Sequence, residues 1–164
     1  LYHRVYTNGF LFKEKPGIRL LNNEKIKDLK IEPYDYQNLK LGKDLILEEG
    51  KIIRNDLLTL DPLSVKTYAF CSDTAYNDSI IPLIKYVDLL YHEATFLDSH
   101  ENLAKKTMHS TAKQAAKIAK LAQVKRLVLG HFSSRYKDKY QFIIEAKSVF
   151  DSVELASDGK VIQL

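Results

Sequence analysis

The chain has 164 residues, 45% of them hydrophobic and 28% charged, the balance of an ordinary globular domain large enough for one real core. No apolar stretch reaches the ~20 residues that a membrane-spanning helix requires. With Cys71 alone there is no disulfide framework, and a reducing, cytoplasmic setting without membrane association is expected.

The net charge of +4 is unevenly spread. No acidic residue lies between Glu101 and Asp138, a stretch holding Lys105, Lys106, Lys113, Lys117, Lys120, Lys125, Arg126, Arg135 and Lys137. A polyanion would favour such a surface, because each neutralised phosphate releases counterions. Lys113, Lys117 and Lys120 equally suit the solvated face of an amphipathic helix. The cations nearest His109 and His131 are the better candidates for phosphate contact.

In chain order, Leu1-Tyr2-His3-Arg4-Val5 reads as an apolar strand edge. Residues 13–62 hold three of the four prolines and three of the six glycines, with weak periodicity. This region reads as an inserted arm, with a small hairpin over Asp44–Asp56 turning at Glu49-Gly50. From Ser64 onward strands and helices alternate. Strands are expected over Thr67–Cys71, Val87–Tyr91 and Arg126–Leu129, with helices over Ile80–Tyr86, Ser110–Ala122 and Tyr140–Phe150. A last strand pair, Val153–Leu155 and Val161–Leu164, would turn at Asp158-Gly159. The expected segments are thus 1–12, 13–62 and 63–164, the last being α/β with buried parallel strands.

In such sheets ligands sit beyond the carboxyl ends of the strands. Three strings lie there: Ser72-Asp73-Thr74, His92-Glu93-Ala94-Thr95 and Gly130-His131-Phe132. A half-buried Asp73 needs a cation or donors to stay ionised; a helix cap or turn would also explain it. Neutral imidazole at His131 suits zinc or manganese, or a plain hydrogen bond. His92 and Glu93 are adjacent on one strand and must point to opposite faces, so only one faces the site. Glu93 could orient an imidazole. His109 directly precedes the Ser110–Ala122 helix, where Ser110 or Thr111 would cap, and the helix N-terminus favours an anion. Cys71, within an apolar run, reads as a core thiol, and His100 as a solvated loop residue.

Together, Ser72-Asp73-Thr74, His92-Glu93-Ala94-Thr95-Phe96, His109-Ser110-Thr111 and Gly130-His131-Phe132-Ser133-Ser134-Arg135-Tyr136 resemble ribonuclease Z, the tRNA 3′-processing endonuclease family of the metallo-β-lactamase fold. The likeness runs from His3 to about Asp138. It implies that His3 binds one zinc, Asp73 bridges two and His131 binds the other. It further implies that His109 is the general acid for the leaving 3′-oxygen, with Glu93 supporting it. Arg135, Lys105 and Lys106 would contact RNA.

The family's principal metal motif, His-x-His-x-Asp-His, is absent here. The resemblance is therefore to the C-terminal half of the αββα sandwich of a short-form enzyme, inactive by itself. Residues 13–62 match the position of the arm that grips tRNA, with Glu32-Pro33-Tyr34 where a Pro-Gly-Pro run is common. The family implies two Zn2+ (or Mn2+), precursor tRNA as substrate and a homodimer. Rival readings are another phosphodiesterase of this fold acting on small esters or DNA, and a non-catalytic RNA-binding or assembly fragment.

Overall fold

The computed structural model describes residues 1–164. It begins with β1 (Phe10–Lys13), β2 (Leu20–Leu21), α1 (Asn23–Ile26), α2 (Pro33–Lys40), β3 (Leu45–Ile46), β4 (Ile52–Ile53), α3 (Asn55–Leu58) and β5 (Thr59–Leu60). There follow β6 (Thr67–Cys71), a 3-10 segment (Asp78–Ile84), β7 (Leu89–Glu93), a 3-10 turn (Asp98–His100), α4 (Glu101–Thr107), α5 (Ala112–Leu121), β8 (Arg126–Gly130), α6 (Tyr140–Lys147) and β9 (Val153–Leu155). These form two compact units, residues 1–13 with 66–164, and residues 14–65.

The larger unit is a five-stranded sheet in the order β1-β6-β7-β8-β9. β6 to β9 run parallel, and β1 closes one edge antiparallel to β6. Parallel neighbours require crossovers, which the 3-10 segment, α4 with α5, and α6 provide. Ala69, Cys71, Leu90, Leu127 and Leu129 from the strands join Ile118 and Phe142 from α5 and α6 in the main core. Burial pushes the Cys71 thiol up to about 11, so it is an inert core group.

α5 forms because its start is well capped. The Thr111 hydroxyl accepts from the Gln114 amide at 3.2 Å, and the Gln114 side chain accepts from the Thr111 N–H at 3.0 Å, a reciprocal capping box. Ala112, Ala115, Ala116, Ala119 and Ala122 are all fully buried. These small side chains let the helix axis lie close to the sheet; enlarging one would cost about 1–3 kcal/mol in overpacking.

Four local expectations are corrected. The segment expected as a helix over 80–86 is 3-10 over Asp78–Ile84, because Pro82 removes an N–H and disfavours the α conformation before it. The strand expected at 87–91 lies at Leu89–Glu93. Asp88 is instead diverted to Thr67 and Lys125, while the ladder continues through His92 opposite Leu129 and Glu93 opposite Gly130. Val161–Leu164 makes no strand; there the Gln163 carbonyl accepts from the Arg126 guanidinium. Leu1–Val5 is not a strand either. It is tied down by the Tyr2 N–H to Thr74 Oγ1 at 3.0 Å and the Ala75 N–H to the Tyr2 carbonyl at 2.8 Å.

The smaller unit has its own core of Ile26, Leu39, Leu45 and Leu58. β2 pairs with β5 and β3 with β4, both antiparallel. The β3–β4 hairpin turns at Gly50, whose φ of +74° suits glycine. Pro33 opens α2 at a position where its missing N–H costs nothing. Asn55 locks the unit by donating from Nδ2 to the Leu39 and Lys43 carbonyls at 2.8 and 2.7 Å.

Candidate active site

Asp73 follows β6 and His131 follows β8, and both adopt left-handed backbone, with φ of 56° and 58°. Such conformations cost non-glycine residues about 1 kcal/mol or more and persist where surroundings enforce them. Their effect here is to fold the two strand ends toward one another. His131 Nε2 lies 3.1 Å from Asp73 Oδ1, with both side chains about two-fifths exposed, at 42% and 41%.

Glu93 organises the rest. It points to the site, whereas His92 on the same strand points into the core, fully buried. Glu93 is also fully buried, yet its Oε1 accepts from the Thr74 N–H (2.8 Å) and His109 Nδ1 (2.7 Å). Its Oε2 accepts from the Thr95 N–H (3.1 Å), the Thr95 hydroxyl (2.7 Å) and the Ser110 N–H (3.1 Å). Burial alone would raise its pKa, but the bonds from His109, Thr95 and Ser110 outweigh it and hold the group below the usual value. The result is a buried, ionised carboxylate with its lone pairs engaged.

That carboxylate sets the tautomers of two histidines. Since Glu93 only accepts, His109 Nδ1 carries a proton, and Glu93 raises the His109 pKa above its ordinary value. The Thr95 hydroxyl spends its single proton on Glu93, so it must accept from His131 Nδ1, 2.8 Å away. When His131 is neutral its Nε2 is therefore a bare acceptor, and it faces another acceptor, Asp73 Oδ1. Two acceptors at that distance call for a proton or a cation held between them.

His3, His109 and His131 form a row, with ring centroids 4.8 Å apart for the first pair and 5.2 Å for the second. The Met108 carbonyl accepts from His3 Nδ1 at 2.8 Å, leaving Nε2 as that ring's free nitrogen. Met108, itself left-handed at φ 59°, caps α4 and turns the chain into His109. Ligand atoms of Asp73, His109 and His131 all fall within 4.8 Å of one another. An oxygen and imidazole nitrogens at such separations suit a borderline cation such as zinc, so the residues present fit a metal centre. The structure thus groups His109, and not His3, with Asp73 and His131.

The expected RNA contacts lie nearby. Lys105 and Lys106 line clefts that border His109. The Arg135 guanidinium lies over the Phe96 ring at 5.2 Å, and Phe96 meets His109 edge-on at 6.3 Å. Lys113, Lys117 and Lys120 occupy the exposed face of α5; Lys113 pairs with Asp98 and Lys117 covers the Tyr76 ring. His100 is not a solvated loop residue but half-buried, with Nδ1 2.9 Å from the Tyr136 hydroxyl.

The sequence pointed to no site role for Thr95 or Thr74, and to Ser110 only as an alternative helix cap. Ser110 is not the cap; its hydroxyl donates to the Thr74 carbonyl at 2.6 Å, and Thr111 caps instead. The available signal was that each of these hydroxyl residues sits within two positions of an acid or imidazole. Gly130 makes room for the Tyr91 ring.

A sequence profile described as "Beta-lactamase superfamily domain" matches residues 58–132. Ribonuclease Z of Cytophaga hutchinsonii is 46% identical over 163 residues, covering 97% of this chain and 51% of that protein. The chain spans about half the length of the curated relatives it matches. Among solved structures, the metallo-β-lactamase fold protein YhfI from Bacillus subtilis superposes with a TM-score of 0.56 at 30% identity, covering 60% of this chain and 40% of YhfI. A long form RNase Z from yeast gives a TM-score of 0.52 at 26% identity, covering 60% of this chain and 13% of that one.

Proposed function

The chain is a ribonuclease Z homologue carrying part of the metallo-β-lactamase fold, and from that premise we propose that it forms part of a zinc-dependent endoribonuclease. The reaction is removal of the 3′ trailer from precursor tRNA, leaving a 3′-hydroxyl. The observation that carries this reading is the pair of opposed acceptors, His131 Nε2 and Asp73 Oδ1 at 3.1 Å, beside an imidazole held by a buried carboxylate.

Asp73 and His131 would hold metal, with His3 contributing through Nε2. Bound metal ions would supply Lewis-acid polarisation of the phosphate and acidify the attacking water. The rest belongs to the protein. His109 delivers a proton from Nε2 to the 3′-oxygen as its bond to phosphorus breaks, converting a poor alkoxide leaving group into a hydroxyl. Glu93 keeps Nδ1 protonated throughout and stabilises the charged ring before transfer. A ligand role for His109 is the alternative, since an imidazole that donates Nδ1–H to a carboxylate presents a bare Nε2 to a metal; metal content of His109→Ala separates the two roles. Lys105, Lys106 and Arg135 hold the RNA backbone by charge.

The remaining parts of the reading are a homodimer, a cytoplasmic setting, and residues 13–62 as a tRNA-gripping arm. The test is precursor-tRNA cleavage by the full-length protein, with metal content measured on the same sample. About two zinc ions per chain, and cleavage lost to a chelator and restored by zinc, are expected; full activity in the metal-free protein would exclude the reading.

A further inference from the structure

Two clefts of opposite character meet at His109. One, of about 420 Å3, is lined by His3, Arg4 and Lys106 among others, with no carboxylate in its wall. The other, of about 550 Å3, is lined by Tyr2, Tyr76, Glu101, Asn102 and Lys105. The first has the chemistry of a phosphate site.

The second is suited to a base. Tyr2 offers ring surface, and Tyr76 offers a ring from which the exposed Lys117, 5.3 Å from its centroid, swings aside. Stacking on an aromatic ring is open to every base because each has a π-face. Tyr2 is 58% exposed, yet its backbone is pinned by Thr74 and Ala75, so its ring is presented from a fixed anchor. Glu101 repels phosphate but can accept from amino or ring N–H groups; its Oε1 already accepts from Gln114 Nε2 at 3.1 Å. Asn102, exposed on α4, adds an amide that can both donate and accept.

Resting on the nuclease reading above, we infer that the cleft between Tyr2, Tyr76 and α4 receives the base of the nucleotide whose 3′-oxygen departs. His109 borders this cleft and faces the leaving oxygen, so the sugar bearing that oxygen lies beside it and its base reaches the Tyr76 wall. The site therefore reads the last nucleotide of the product, not the first of the trailer.

The test is a cycle on the full-length, metal-loaded protein. kcat/KM is measured for intact precursor tRNA and for one abasic at the nucleotide 5′ to the cut, using wild type and Tyr76→Leu. Leucine keeps the apolar contact but removes the flat ring. Each single change should cost about 10- to 100-fold, and the abasic substitution should cost Tyr76→Leu nothing more. Multiplicative losses would overturn the inference, as would masking by an abasic site at the first trailer nucleotide instead. Asn102→Ala on the exposed face of α4 serves in the same cycle should Tyr76→Leu fail to fold. Hydrolysis of bis(4-nitrophenyl) phosphate by wild type without any precursor cleavage would remove the nuclease reading, and this inference with it.

Discussion

His109 Nδ1 lies 2.7 Å from Glu93 Oε1, and that carboxylate, with no exposure to solvent, accepts four further hydrogen bonds from Thr74, Thr95 and Ser110. The pair joins elements far apart in the sequence: the end of β7, the turns after β6 and α4, and the start of α5. A buried carboxylate surrounded only by donors is worth keeping only while every donor is present. Through Thr95 the same group also fixes the ring of His131.

Glu93→Gln tests this arrangement. The amide of glutamine must set at least one N–H against a donor in the cage, so stability should fall by about 2–4 kcal/mol. His109 loses its charged partner and His131 its fixed tautomer. Thermal unfolding and zinc content, measured together, should both fall. Wild-type values for both would show that the cage is dispensable.

His109→Ala addresses the chemistry, but it also removes one of the five hydrogen bonds to the buried Glu93, so turnover is compared per folded, metal-loaded molecule. Loss of a positioned proton donor should slow precursor cleavage about 10²–10⁴-fold. Binding of tRNA, measured separately by filter retention, should change far less. Unchanged turnover would remove the assigned role.

What the sequence made legible follows from the periodicity of β6, β7 and β8 and from the alanine stripe of α5. Those patterns place Asp73, Glu93, His109 and His131 at one sheet edge. The Glu93–His109 contact itself depends on the left-handed turn at Met108, for which methionine gives no signal. The two-residue shift of β7 was hidden because Val87 is apolar, while Asp88 leaves the ladder for partners 21 and 37 residues away. Likewise, Val161–Leu164 is apolar enough for a strand, but Ile162 and Leu164 border a cleft with Tyr68, Leu89, Tyr91 and Val128 and do not pair along the edge of β9, a placement that spacing cannot report.

Asp88 gives a pH-dependent prediction away from the site. Its carboxylate accepts from Lys125 Nζ at 2.7 Å, and from the Thr67 N–H and hydroxyl at 2.8 Å each. The hydrogen bond from Lys125, followed by those from Thr67, lowers its pKa to about 2. A depressed folded-state pKa stabilises the protein above the unfolded value, and the benefit disappears as pH falls through the folded one. Asp88→Asn should therefore cost about 1–2 kcal/mol above roughly pH 5. The gap to wild type should close as pH approaches about 2. Denaturant titrations across that range check it; a constant gap would show that charge is not the cause.

Gly130 lies directly before His131, and a Cβ there would meet the Tyr91 hydroxyl oxygen at 2.1 Å and the ring carbon Cζ at 2.5 Å. Tyr91 cannot simply swing aside, since it stacks on Phe70 with centroids 4.7 Å apart. Gly130→Ala should therefore cost about 1–3 kcal/mol and weaken zinc binding by displacing His131. Tyr91→Leu in the same chain should restore part of both. A Gly130→Ala protein with wild-type unfolding temperature and zinc content would contradict the steric argument.

Residues 14–65 form a compact unit with a separate core, and their points of attachment show how to remove them. Lys13, the last residue of β1, pairs directly with Thr67, the first of β6, in an antiparallel ladder. An antiparallel pair can be closed by a two-residue turn, so replacing residues 14–66 by Asn-Gly converts β1 and β6 into a simple hairpin. The hydrogen bonds that hold Glu93, His109 and His131 in place come from Thr74, Thr95 and Ser110 and from one another, all outside the deleted span. On the nuclease reading, the shortened full-length protein should therefore bind zinc and hydrolyse bis(4-nitrophenyl) phosphate as the unshortened one does, while its kcat/KM for precursor tRNA falls by orders of magnitude. Loss of both activities with zinc retained would mean that the inserted unit supports the chemistry and not the grip on RNA. Retention of precursor cleavage would mean that the RNA is held by the metal-centre unit alone.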